Sequence, residues 1–490
     1  MDEADWESAR LIPVSGINGS DEQERRGSSA LLAVLSSVKE FGRAVIAPLG
    51  APSGTIETYI EVPFAFGDRN VRPDGVIRVR RGTRTWTALV EVKTGRNELK
   101  TEQLEAYLDI AREQQFDVVL TVSNQLVAIP GVHPTSVDKK KLKKVELKHL
   151  SWSQIHTEAV VQRVNRSVAD PDQAWILNEL IRYLEHDRSG AVDFDDMGPD
   201  WVAVRNGVTN RTLRASDVSA AEVVARFGQL IAFSAMRLSR QLGVEVRPAL
   251  SRSELKDAAA FQQRAVTRLV DHGILQGSIR VPHAVAPFTV TADLRSGLVT
   301  CTLEVAAPGQ GRSTTRINWL TRQLVKAPDA LLIEGWAAWA RTPGPCRALS
   351  EVRAKPDLLI DDPKKELKGF SVRLSAVAGT KRGQGRGSFV GSVLGLVDNF
   401  YEQVVQQIKP WTAPAPSIKG KPIDEDVDRD DISSELPLKT VQRASATPDW
   451  PAEEEVTVTD EPVYTTDVPP SAYQPAEADE QDDPPGEARE

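Results

Sequence analysis

Pro73-Asp74-Gly75-Val76-Ile77-Arg78-Val79-Arg80-Arg81-Gly82-Thr83-Arg84-Thr85-Trp86-Thr87-Ala88-Leu89-Val90-Glu91-Val92-Lys93 reads as two strands joined by a polar turn. Val76–Arg80 and Trp86–Val92 carry the apolar and β-branched residues that suit a pleated surface, and Arg81-Gly82-Thr83-Arg84 between them contains the glycine that a hairpin turn favours. Side chains alternate along a strand. Glu91 and Lys93 therefore share one face while Val92 points into the core, and the hairpin brings Asp74 beside Glu91.

Outward from this hairpin the pattern predicts a mixed α/β module. Upstream, Leu31, Leu35 and Val38 recur at helical spacing. Ser20 with Gln23 is read as the helix cap, and Gly42 as its end. Arg43–Pro48 and Tyr59–Phe66 are read as strands. Downstream, Glu102–Gln114 is a helix with Leu104, Tyr107, Leu108 and Ala111 on one stripe. The valine-rich Val118–Val122 is a buried strand, Val145–His149 another, and a helix starts near Ser153. After Pro171 the pattern becomes α+β. Helices are expected over Ala174–His186, Ser219–Leu242, Ser253–His272 and Ser388–Ile408. Strands are expected within Ile279–Ala306, at Ala330–Trp339 and Leu358–Ile360, and at Phe370–Leu374. The expected division is 20–165, 172–410 and a tail, 411–490.

Two carboxylates meeting at a strand end form a hard-oxygen site, which suits magnesium or manganese. A neighbouring ammonium supplies positive charge near a metal-bound water and a phosphate, the parts that phosphodiester cleavage needs. Pro73, Asp74, Glu91 and Lys93 stand in the order of the PD-(D/E)XK nuclease superfamily, which residues 20–165 resemble. Gln103 and Tyr107, four apart on the following helix, are similar to the QxxxY motif of its RecB-type branch. Leu150-Ser151-Trp152-Ser153 resembles a late element of such domains, in which a serine caps a helix.

The resemblance implies a restriction-endonuclease-like fold, a mixed central sheet flanked by helices, and Mg²⁺- or Mn²⁺-dependent hydrolysis of nucleic acid, DNA before RNA, in the bacterial cytoplasm. It implies that Asp74, Glu91 and the backbone carbonyl of Val92 hold the metal. Lys93 would position or polarise the attacking water, and Gln103 and Tyr107 would orient the substrate strand or the site itself. The family often adds a first-helix carboxylate; Glu24 is the candidate, with Glu40 behind it. The alternative is a catalytically silent nuclease-fold protein that binds nucleic acid or a protein partner. In the plainest reading Asp74 only opens a turn, Glu91 and Lys93 form an exposed pair, and Tyr107 is core.

The remaining features bound the function. The chain has 490 residues and a formal charge of -9. Residues 411–490 hold 21 acidic and 6 basic residues, which leaves the first 410 mildly basic, and 12 of the 31 prolines. That tail has too few apolar residues to offset chain entropy and is expected to be disordered, with a protein partner as a further role. No apolar run approaches the ~18 residues needed to span a membrane, and the acidic start argues against a secretory signal. Two cysteines exclude a disulfide scaffold, and the six histidines show no metal-ligand spacing.

Two basic runs also stand out. Lys139–Lys144 suits phosphate contact or a solvated loop. Gly379–Gly387, with Lys381, Arg382 and Arg386, lacks P-loop order, so ATP binding is rejected there; a plain loop is expected, with a flexible basic loop near nucleic acid as the alternative. Lys355-Pro356-Asp357 with Ser371-Val372-Arg373 is read as an ordinary strand pair, and Trp336 and Trp339 as core, with stacking on bases as the alternative. Neither cysteine reads as a nucleophile.

Overall fold

The computed structural model describes residues 12, 19–66, 69–340 and 342–413. The acidic tail assigned from the sequence lies outside the described residues from 414 onward. By their contacts, the described residues form one compact unit with three sheets, of five, seven and two strands.

The N-terminal layer starts with two helices, α1 (Ser20–Ser37) and α2 (Lys39–Ile46), separated at Val38. Gly19, not Ser20, takes the cap position of α1 and makes no side-chain cap bond. Gly42 does not end the helical run: it lies inside α2, where a Cβ would strike the Leu35 carbonyl of α1. The strand expected at Arg43–Pro48 is instead the end of α2 and a 3₁₀ turn. Its apolar Val45 and Ile46 are buried on a helix face rather than on a pleat.

Strands β1 (Thr55–Ile60), β2 (Phe64–Phe66), β3 (Arg69–Val71), β4 (Gly75–Arg81) and β5 (Arg84–Val92) follow. Then come α3 (Thr101–Glu113), β6 (Val118–Ser123), β7 (Glu146–Ser151) and α4 (Trp152–Val161). The five-stranded sheet has the order β1-β4-β5-β6-β7. β1, β4 and β5 pair antiparallel, while β5, β6 and β7 pair parallel. The β4–β5 turn is the expected one, with Gly82 in the left-handed region at φ 60.

The two faces of this sheet are unequal. Ile77, Val79, Ala88, Val90, Val92, Leu120 and Val122 pack under α1, α2, α4 and α5 (Pro171–Leu184). The opposite face, with Leu89 and Val119, is covered by α3 through Tyr107, Leu108 and Ala111. Leu177, Leu180 and Leu184 of α5 belong to the first core, so that core runs on past residue 165 to the end of α5.

The second core surrounds α6 (Trp201–Asn210), α7 (Val218–Leu242), α8 (Arg252–Lys256) and α9 (Ala258–His272), with short β8 (Arg247–Pro248). They pack on strands β9 (Ile274–Arg280), β10 (Phe288–Asp293) and β11 (Leu298–Ala306). Helix α10 (Ser313–Gln323), β12 (Leu332–Ala337), β13 (Cys346–Ala348), α11 (Leu349–Ala354), β14 (Leu367–Val377) and α12 (Phe389–Phe400) complete it. Its seven strands run β13-β12-β14-β11-β10-β9-β8, all antiparallel.

Helix α7 is long and apolar enough by composition to cross a membrane, yet half of that window is buried. Phe227, Leu230 and Leu238 lie in the second core, and α7 packs along α4 and α9. Leu358–Ile360 is not a strand: Pro356–Leu359 forms a 3₁₀ turn, and the Lys355 segment does not pair with β14. Trp336 is half-buried, but Trp339 is 100% exposed rather than core.

Candidate active site

The site is built where β4 begins and β5 ends. Gly75 pairs with Val90, so Asp74 stands next to Glu91 across the hairpin. Only a residue without a side chain fits at 75: a Cβ would overlap Leu32 of α1 and lie 2.9 Å from the Tyr59 carbonyl oxygen. Asp74 Oδ2 accepts a hydrogen bond from the Val92 N–H at 2.7 Å. Within a strand the N–H and C=O of one residue point to the same edge, so the Val92 carbonyl faces the Asp74 side. The Val92 side chain is fully buried in the larger core.

Glu91 is 2% exposed. Its Oε1 accepts from Gln103 Nε2 at 2.7 Å and lies 2.8 Å from Lys93 Nζ. The Gln103 amide also donates to the Tyr107 hydroxyl at 2.9 Å. Gln103 and Tyr107 are one helical turn apart on α3, so their spacing lets one amide reach both groups. Lys93 Nζ donates to Glu24 Oε2 at 3.1 Å, and Glu24 Oε1 accepts from Asn97 Nδ2 at 2.5 Å. The Lys93 carbonyl is fixed from behind by Trp152 Nε1 at 2.9 Å, next to the Ser151–Gln154 capping box that opens α4.

The electrostatics follow from three carboxylates around one ammonium. Burial first, then the charge of Glu91, raises the Asp74 carboxyl to about 7, against the Val92 hydrogen bond and Lys93. Burial alone would depress the Lys93 ammonium, but Glu91 and Glu24 outweigh it and hold the amine firmly charged. Burial, then the Glu91 charge, keeps the Tyr107 hydroxyl protonated.

Among the described residues no group of three or more His, Cys, Asp or Glu side chains forms a metal cage. The donor set nevertheless fits a hard divalent cation. It consists of carboxylate oxygens and a main-chain carbonyl, and negative charge exceeds the positive charge beside it. Asp74 also borders an open cleft of about 250 Å³, shared with Glu22, Arg25, Ser29 and Glu61. Thus Asp74, Glu91, Lys93, Gln103, Tyr107 and Glu24 all meet here. Glu40 does not join them: it lies on α2 with a buried, unpartnered Oε2.

A polar row next to the site escaped the sequence. Glu91 pairs in register with Thr121, and Thr121 with His149. Thr121 Oγ1 lies 2.9 Å from His133 Nε2 and 2.8 Å from His149 Nδ1. His149 Nε2 faces the Gln125 carbonyl at 2.8 Å and must donate to it, so Nδ1 accepts from Thr121. Burial holds His149 at about 4 and lowers His133 as well, so His149 is neutral near pH 7. The sequence signal was the placement of Thr121 in the otherwise apolar run Val118–Val122.

Of the two basic runs, Lys141 is tied to α3 through Asp109 at 2.6 Å, while Lys139, Lys140, Lys143 and Lys144 are exposed. The glycine-rich stretch is a pinned turn: Lys381 N–H donates to the Gly387 carbonyl and Phe389 N–H to the Lys381 carbonyl. Arg373 instead pairs with Glu334. No protein-family model matches the chain, and no curated protein matches it by sequence.

Proposed function

We propose that this protein is a metal-dependent nuclease that hydrolyses phosphodiester bonds, with DNA as substrate. The observation that carries this reading is the meeting of Asp74, Glu91 and the Lys93 ammonium at one strand end, where Asp74 borders a cleft. Asp74, Glu91 and the Val92 carbonyl would hold the cation, which supplies Lewis-acid stabilisation of phosphate charge and a water acidic enough to attack.

The chain's own groups then divide the work. Lys93 is held as an ammonium, so it donates to a phosphate oxygen rather than accepting a proton from water. Glu24 fixes the direction in which that ammonium points. Gln103 holds the Glu91 carboxylate, leaving its orientation independent of substrate. Tyr107 stays a neutral hydroxyl at the back of the site. The two free cysteines, Cys301 buried and Cys346 half-buried, suit a reducing compartment such as the cytoplasm; the bacterial setting rests on the family resemblance alone.

The test is cleavage of supercoiled and linear DNA in magnesium by wild type, Asp74→Ala and Lys93→Ala. Both variants are expected to lose cleavage while retaining the wild-type circular dichroism spectrum. Cutting by either at the wild-type rate would overturn the assignment of roles.

A further inference from the structure

Two basic loops from different parts of the fold are hydrogen-bonded to elements that adjoin the carboxylate cluster. The first is Lys139–Lys144. Its backbone runs along α3: Thr101 Oγ1 donates to the Ser136 carbonyl, Asp138 N–H donates to Glu105, and Lys141 reaches Asp109. Asp109 is six residues along the helix from Gln103, a rise of about 9 Å. Lys139, Lys140, Lys143 and Lys144 are exposed and have no acidic partner among the described residues.

The second is the Gly379–Gly387 turn of the second region. Gly385 and Gly387 adopt left-handed φ values of 91 and 82, and Ser388 N–H closes on the Gly385 carbonyl, so the turn is formed rather than loose. It seats on the segment that leaves α5. Met197 N–H donates to the Arg382 carbonyl at 3.0 Å, Gln384 to Asp195 at 3.2 Å, and Arg382 pairs with Asp196 at 3.5 Å.

The same segment is bonded to the strand-end loop of the site. Gly95 N–H donates to the Gly190 carbonyl at 2.8 Å, and Asn124 bridges Gly95, Gly190 and Val192. Exposed Arg96, three residues beyond Lys93, acts electrostatically on Asp195. Lys381 and Arg386 stand exposed without acidic partners among the described residues.

We infer that Lys139–Lys144 and the Lys381–Arg386 turn are the two ends of one track for a DNA backbone, with Arg96 and the Asp74–Glu91 pair between them. This rests on the nuclease reading of that pair. Side chains without partners lose no intramolecular contact on meeting phosphate, and each neutralised phosphate releases counterions, so binding along the track is sequence-independent and salt-sensitive. The second region would thus grip substrate for a site it does not itself contain.

The experiment is fluorescence anisotropy of the full chain on a labelled DNA duplex, without divalent metal, over a salt series. Wild type is compared with Lys381→Ala/Arg386→Ala and with Lys139→Ala/Lys140→Ala/Lys143→Ala/Lys144→Ala. Each variant is expected to bind about 10-fold or more weaker, to lose about one unit of the log K against log salt slope per phosphate contact removed, and to lose it equally on unrelated sequences.

Manganese titration into the same proteins separates the two readings. Unchanged manganese binding with weakened DNA binding supports the track. Wild-type affinity and slope in either variant, or a wild type that takes up manganese but no DNA, overturns the track alone. Tighter binding of duplex RNA than of duplex DNA overturns the choice of DNA. Loop-dependent DNA binding without manganese uptake supports the track and overturns the hydrolytic site.

Discussion

The Asp74 carboxylate is fastened by the Val92 N–H at 2.7 Å, part of the peptide group that joins Glu91 to Val92. One acid is thereby held to the backbone of the strand that carries the other. Disturbing the hairpin disturbs both, whereas replacing either acid leaves the hairpin ladder intact.

The first prediction concerns Gly75, which lets β4 pass against α1. Gly75→Ala forces a Cβ into Leu32 and towards the Tyr59 carbonyl. Overpacking of this kind costs about 1–3 kcal/mol. Chemical denaturation should show a loss of that size, and manganese uptake should weaken with it. A variant as stable as wild type would mean that α1 yields easily there.

The second concerns Gln103 and Tyr107. Gln103→Ala removes the donor that orients Glu91, so cleavage should fall by at least about 10-fold, the loss of one hydrogen bond to a charged group. Tyr107→Phe removes the acceptor for the Gln103 amide and a hydroxyl that also bonds the Glu91 carboxylate, so activity should fall less than in Gln103→Ala, at a cost of about 1 kcal/mol in stability. Steady-state rates and urea midpoints separate the two. Equal losses of activity would mean that the Tyr107 hydroxyl orients Glu91 as strongly as the Gln103 amide does.

The third concerns pH. Asp74 rises from 3.8 unfolded to about 7 folded, so its contribution to stability is complete below about 4 and is lost as pH climbs through 7. His149 falls from 6.5 to about 4, so its contribution is complete above 6.5 and is lost as pH drops through 4. Without metal the two slopes oppose each other over nearly the same range, each at most about 1.4 kcal/mol per pH unit. Other shifted groups, His133 among them, add their own slopes, so the quantity to read is the difference from wild type in thermal melts between pH 4 and 7. Relative to wild type, Asp74→Asn should gain stability as pH rises over this range, and His149→Gln should lose it. Parallel profiles in all three proteins would contradict both assignments.

Much of this site was legible because its signals are local. Glu91-Val92-Lys93 alternates on one strand, Gln103 and Tyr107 share one helical turn, and Gly82 marks the hairpin. Ser151 and Gln154 likewise announce the start of α4. Two kinds of information were missing. At Arg43–Pro48 the apolar pair Val45–Ile46 fits a helix face as well as a strand, and what decides is the packing of Gly42 on the Leu35 carbonyl. The Thr121–His149 contact joins residues 28 apart through parallel register, which a single sequence does not reveal. Nor does it show that Leu177, Leu180 and Leu184 complete the first core, or that a distant glycine-rich turn seats beside Arg96.

The most direct test of the central claim is calorimetric titration of Mn²⁺ into the full chain and into Glu91→Gln and Asp74→Asn. The account predicts one ion per chain in wild type and at least about 10-fold weaker binding in both variants, with unchanged circular dichroism. Absence of binding by wild type, or equal binding by all three, would contradict it.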